Sequence, residues 1–333
     1  MPLTALAAAL AVSFAGHRAC ARELTVATWG GSLHEAQRKT LFEPFTAATG
    51  VPLHGEAWDG GIATLRSQAE AWDLVQIEPG KLLVACEDGL LEKLDWDKIG
   101  GRDRYIPQGV SDCGVGSLLY SSVLAWDRDK FQGTPTWADF WDVAKYPGKR
   151  GLRDGVKTNL EIALMADGVS PGDVYRTLRT DDGVDRAFRK LEQLKPYIAW
   201  WKSSAQATQF IASGQVLFST MPNAAAMDRQ FGVQWAGSLY SVDSWAVVAG
   251  SPNLDEALKF LAFAGDPSVE ARLLPILPFG GLAKGANDGL PPEMLANSPS
   301  NPANLGAALQ IDDQFWRENL DKLSQRYNAW LAR

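Results

Sequence analysis

A chain of 333 residues is too long for one ordinary compact core, so two lobes or domains are expected. Its 46% hydrophobic and 21% charged residues are ordinary for a folded globular protein and imply no disordered tail. The formal net charge of −7, with no run of Lys and Arg, argues against nucleic acid, whose binders carry basic patches; the ordinary role of such acidity is solubility.

Residues 1–21 read as a secretory signal peptide: residues 3–16 are apolar, and Ala19, Cys20 and Ala21 fit a small-x-small cleavage site. The usual basic start is missing, and Cys20 as a lipidated residue is the alternative. The apolar run is shorter than the roughly 20 residues that a membrane span needs, and no later segment qualifies. Export to the periplasm leaves Cys86 and Cys113. A pair closing a loop of about 27 residues suggests a disulfide contributing roughly 3 kcal/mol, the alternative being two buried free thiols.

Residues 23–28 alternate as a strand, Trp29, Gly30, Gly31 and Ser32 break it, and residues 35–46 follow as a helix. Residues 51–56 are the next strand, 62–71 a helix, 72–77 a strand and 81–87 a short helix. This alternation predicts an α/β lobe with a largely parallel sheet, whose ligands sit beyond the carboxyl ends of the strands, near residues 29–32 and 78–80. Residues 117–126 form a long apolar strand that leaves this lobe. Thr136 and Asp139 make a capping box for a helix over 137–141. A second α/β unit follows, with strands at 151–153, 198–201 and 216–219 and helices at 160–166, 184–194 and 206–213. Residues 244–248 carry the chain back, and amphipathic helices at 254–264 and 315–331 flank a Pro- and Gly-rich stretch at 275–306. The expected division is lobe 1 at 22–125 plus 245–333 and an inserted lobe 2 at 126–244, with hinges near 125–127 and 242–246.

The usual equipment for covalent, metal or hydride chemistry is missing. There is no GxSxG, no GxxxxGK[ST], and Gly114 and Gly116 lack a third glycine at dinucleotide spacing. His34 and His54 lie on different elements, and the cysteines lack zinc spacing, so no cofactor or metal is expected. What remains is aromatic and acidic. Trp29 sits on a glycine-flanked loop at a strand end; Trp200, Trp201 and Trp245 are further aromatics; Glu78, Asp154 and Asp243 fall at cleft positions. Aromatic faces with carboxylates suit an organic cation, because the ring quadrupole attracts an ammonium and a carboxylate pairs with it.

Several segments carry a resemblance: LTVATWGGSLHEAQRKTLFEPFTAATG (24–50), WDLVQIEPG (72–80), CEDGLLEKLDW (86–96), CGVGSLLYSSVLAWDRDKF (113–131), TWADFWDVAKYPGKRGLR (136–153) and FWRENLDKLSQRYNAWL (315–331). In this order and spacing the chain resembles the extracytoplasmic solute-binding proteins of ABC importers, in their spermidine/putrescine-binding branch. The resemblance implies a two-lobed type II periplasmic-binding fold, a small-molecule amine ligand clamped between the lobes, delivery to permease subunits in the inner membrane, a monomer, and no catalysis. It implies that Trp29 stacks on the ligand and Asp243 binds an amine, with Ser32, Glu78 and Gln314 at other pocket positions. The chain departs from the polyamine pattern where Gly155 and Thr158 replace acidic residues, where Pro222 replaces an aromatic, and where Ser241 replaces another aromatic with Tyr240 adjacent. A diamine needs an anion at each end, since burying an unpaired ammonium is costly. The leading expectation is a polyamine ligand. A zwitterion such as γ-aminobutyrate is the alternative, with Arg66, Arg153 or Arg229 meeting its carboxylate, and Thr158 as a hydrogen-bonding residue in either case. An exported carboxylate-pair hydrolase and a chemoreceptor co-sensor are the rivals from other classes.

Overall fold

The computed structural model describes residues 22–333; the expected signal peptide lies outside them. One mixed sheet runs through the whole molecule in the order β2-β1-β3-β8-β4-β7-β5-β6, with a short β9 added on β8. At one end β1 (Leu24–Thr28) lies between β2 (Leu53–Ala57) and β3 (Leu74–Ile77), all parallel. At the other end β5 (Arg150–Arg153) lies between β6 (Ile198–Trp201) and β7 (Phe218–Pro222), again parallel.

Two long strands join these halves. β4 (Val115–Trp126) and β8 (Gly232–Val247) have 12 and 16 residues, where five or six is usual. β8 runs antiparallel to β3 near its end, with Ile77 opposite Ser244. β4 runs antiparallel to β7 over its last five residues, from Ser122 to Trp126. Between these contacts, residues 118–121 of β4 and 240–243 of β8 pair with each other, and register shifts bracket this neck on both sides. The pairing puts residues 122–125 in the sheet of the second half, although the sequence places them with the first. The sequence also marks only 244–248 of β8 as strand. The polar Ser238, Ser241 and Asp243 interrupt its apolar pattern, and all three are buried.

Helices cover both faces. In the first half α1 (Gly31–Gln37) continues through a π turn (Arg38–Phe42) into α2 (Glu43–Thr49), ended by Gly50 in the left-handed region. Then come α3 (Ile62–Gln68) and α4 (Pro79–Glu87). The second half has α5 (Trp137–Trp141) with the expected Thr136–Asp139 capping box, α6 (Asn159–Ala166), α7 (Val174–Leu178), the strongly amphipathic α8 (Asp181–Leu194) and α9 (Ser204–Ala212). After β8, α11 (Leu254–Ala264) packs on the first half beside Phe42 and Phe45. β9 (Leu309–Gln310) then pairs with Leu239 and Tyr240.

The final helix, numbered α15 (Asp313–Leu331) after the short α10 (Asn223–Asp228), α12 (Pro267–Glu270), α13 (Pro292–Ala296) and α14 (Pro302–Gly306), reaches both halves: Arg317 pairs with Glu87 of α4, while its apolar side packs on the second half. Its Phe315, Trp316, Leu323, Tyr327 and Trp330 sit in the same core as Phe188 and Leu191 of α8. Residues 313–331 therefore pack in the second lobe, and the chain crosses between the lobes a third time before β9. The expected disulfide is present: Cys86 and Cys113 are bonded with their Cα atoms 5.9 Å apart, tying the last turn of α4 to the foot of β4.

Candidate functional site

The parallel strands of the first lobe end at Thr28 and Ile77, so Trp29 and Glu78 emerge side by side, and the antiparallel β8, on the other side of β3, brings Asp243 to the same end of the sheet. The indole Nε1 of Trp29 donates to Asp243 Oδ2 at 2.7 Å. Trp29 also lies over Trp58, ring centres 6.1 Å apart and planes within 22°, and Trp58 meets Trp72 edge-on at 5.3 Å. Gly60 makes this arrangement possible: it has a φ of 73°, and a Cβ there would stand 2.5 Å from the Trp29 ring. The aromatic platform is thus braced from behind before any ligand arrives.

Asp243 is 6% exposed, yet its Oδ1 lies within hydrogen-bonding distance of no donor among the described residues. Burial pushes its carboxyl up to about 7; hydrogen bonding from the Trp29 indole and the Tyr120 hydroxyl pulls the other way, while the charges of Glu78 and Asp313 add to the rise. A buried carboxylate oxygen without a donor costs free energy unless a ligand supplies one. The same electrostatic cluster includes Tyr120 on β4, directly opposite Ser241 in the strand register. Its hydroxyl is pushed well above the usual tyrosine range by burial, then by Asp243, Glu78 and Asp313. The aromatic absent at position 241 is therefore supplied from the neighbouring strand.

The second lobe brings the loop after β5. Asn159 Nδ2 donates to the carbonyls of Arg153 and Gly155, both at 2.7 Å. Thr158, buried at the start of α6, has a φ of 76°, a strained conformation for a β-branched residue. Just before Thr158, Lys157 extends to Asp313 Oδ1 at 3.1 Å. Burial raises the Asp313 carboxyl, Lys157 lowers it, and Glu78 and Asp312 raise it.

Of the residues singled out from sequence, Trp29, Glu78 and Asp243 come together, and Thr158 lies next to Lys157. Ser32 is exposed in the first turn of α1. Tyr240 points elsewhere: its hydroxyl accepts from Gln108 at 3.4 Å and donates to Gln310 at 3.1 Å. Gln314 bonds to Glu318 on its own helix and lines, with Gln108, Gln310 and Val242, an adjoining cavity of about 440 Å³. Its neighbour Asp313 is the residue whose charge reaches Asp243. Arg66 is held by Asp88 on the exterior, whereas Arg153 is exposed with no ion pair among the described residues. Among the described residues no group of three His, Cys, Asp or Glu side chains is placed to hold a metal, and no helix is long and apolar enough to cross a membrane.

Residues 40–303 match the model of a family described as bacterial extracellular solute-binding protein. The chain is 40% identical to the γ-aminobutyric acid-binding protein of Pseudomonas aeruginosa over 96% of its own length and 94% of that protein's. It is 24% identical to the spermidine/putrescine-binding periplasmic protein of Escherichia coli, covering 87% of the chain and 86% of the relative. Among solved structures it resembles a GABA receptor with a TM-score of 0.80 at 30% identity, over 93% of this chain and 98% of that one. The chain belongs to the bacterial extracellular solute-binding proteins, two-lobed substrate-binding components of ABC transporters that capture a small molecule for a permease and perform no catalysis.

Proposed function

We propose that the ligand is a zwitterionic ω-amino acid of the γ-aminobutyrate type, in place of the polyamine that the sequence put first. The observation that carries this reading is the buried, half-satisfied carboxylate of Asp243 on the Trp29 platform, with Lys157 on the facing loop. The ligand ammonium would fill the empty acceptor at Asp243 Oδ1 and lie against the Trp29 face. A polyamine would have to bring a second ammonium towards Lys157, at a like-charge cost. The 40% identity to a γ-aminobutyric acid-binding protein, against 24% to the polyamine binders, supports the same choice.

Closure about the neck formed by residues 118–121 and 240–243 would bring the β5 loop and Asp313 onto a ligand already seated on the first lobe. The protein would be exported by way of residues 1–21 and present its closed, monomeric form to the permease. Titration calorimetry and thermal shift with β-alanine, γ-aminobutyrate, 5-aminovalerate, putrescine and spermidine test the reading. A melting temperature raised by an ω-amino acid, with no response to the polyamines, is the expected result. A response to polyamines alone rejects it.

A further inference from the structure

The loop between β5 and α6 is held more tightly than an ordinary surface loop. Asn159 clamps two of its carbonyls, Tyr327 reaches Asp154 at 3.4 Å, Gly155 has a φ of 133° and Thr158 one of 76°. Strain of this kind persists where the surroundings over-determine it, and it gathers at ligand clamps. What the loop presents is the ammonium of Lys157, in direct contact with Asp313, whose charge acts on Asp243 together with that of Glu78.

We infer that Lys157 is the specificity-determining residue of the site: it leaves Asp313 to take the ligand carboxylate, and its charge excludes diamines. The inference rests on the zwitterion reading and deepens it. In this structure Lys157 and Asp313 satisfy one another, while one oxygen of Asp243 meets no donor among the described residues. A zwitterion can satisfy both ends of this arrangement. Its ammonium reaches Asp243, and its carboxylate replaces that of Asp313 on Lys157. A diamine of the same length satisfies the first end and meets a cation at the second. Arg153 at the end of β5 is a neighbouring cation that is exposed and has no ion pair among the described residues, so it serves as the control for general charge effects.

The test is calorimetry of the wild type, Lys157→Met and Arg153→Met with γ-aminobutyrate and putrescine, with melting temperatures to confirm folding. Lys157→Met is expected to weaken γ-aminobutyrate binding at least tenfold and to strengthen putrescine binding at least threefold, so the selectivity ratio moves by more than thirtyfold. Arg153→Met is expected to shift either ligand by less than threefold. An unchanged ratio in Lys157→Met, or the large change appearing in Arg153→Met instead, overturns this inference while leaving the ligand class standing. A wild type that binds putrescine and none of the ω-amino acids, or that binds no member of either class, overturns both.

Discussion

The two walls of the cleft are built differently. The first-lobe wall is packed: Trp29 rests on Trp58, Trp58 on Trp72, and the buried Asp243 accepts from Trp29 on one oxygen and from no donor among the described residues on the other. The second-lobe wall is charged: Lys157 and Asp313 answer each other on a strained loop and at a helix start, both nearer to solvent. The first wall holds an unmet demand that is costly until a ligand meets it. The second holds a satisfied pair, and with the Asp313 side chain only 11% exposed a change of partners there carries a cost that the ligand must offset. A binder assembled this way takes its affinity from the rigid wall and its selectivity from the exchangeable one.

The hardest test of that contrast is Asp243→Asn. Removing one partner of a buried ammonium–carboxylate pair costs on the order of 2–5 kcal/mol of binding, so the affinity for an amine ligand should fall by about thirtyfold or more in calorimetry. The ligand-free variant should melt no lower than the wild type, because a buried carboxylate with an empty oxygen has been replaced by a neutral amide. A large loss of stability with little loss of affinity would break the contrast and make Asp243 a structural residue.

The pH dependence comes next in size. With the Asp243 carboxyl at about 7 in the empty site, an incoming ammonium must expel a proton below that pH. Affinity should therefore decline by up to about tenfold per pH unit below 7 and level off above it. Stability of the empty protein has the opposite slope. A carboxyl whose folded value lies above its ordinary value of 3.8 contributes stability that is full below about pH 4 and lost as pH rises through 7. Glu270, pushed up to about 7 by burial in the first lobe, adds a slope of the same sign. Asp243→Asn should therefore flatten the stability profile without abolishing it, and should remove the pH dependence of whatever binding survives.

The packed wall could be read from the sequence in a way the charged wall could not. Trp29 stands out because glycines flank it, and Asp243 because it interrupts an apolar strand. Both signals are local. Asp313 depends on the phase of the first turn of α15, which Asp312 sets by accepting from the backbone of Phe315, and one residue of error there selects Gln314. Lys157 depends on the positive φ of Thr158, which a Thr at that position does not advertise. The placement of α15 in the second lobe rests on its five core side chains meeting α8, and amphipathic spacing alone does not say which lobe receives an apolar face.

The smallest expected effect separates two tyrosines. The resemblance expects an aromatic at position 241, where Tyr240 is the adjacent one, but successive residues of a strand face opposite sides, and the Tyr240 hydroxyl is engaged by Gln108 and Gln310. Tyr120 reaches the acidic cluster from β4 because the register sets it opposite Ser241. Tyr120→Phe should weaken amine binding by about threefold to tenfold, the range of one hydrogen-bonding group. Tyr240→Phe should leave affinity within twofold and instead lower the melting temperature slightly, because Gln310 of β9 loses a donor. The reverse pattern would put the ligand in the cavity lined by Gln108, Gln310 and Gln314. The packed wall would then be a support, and the binding surface would lie one strand face away.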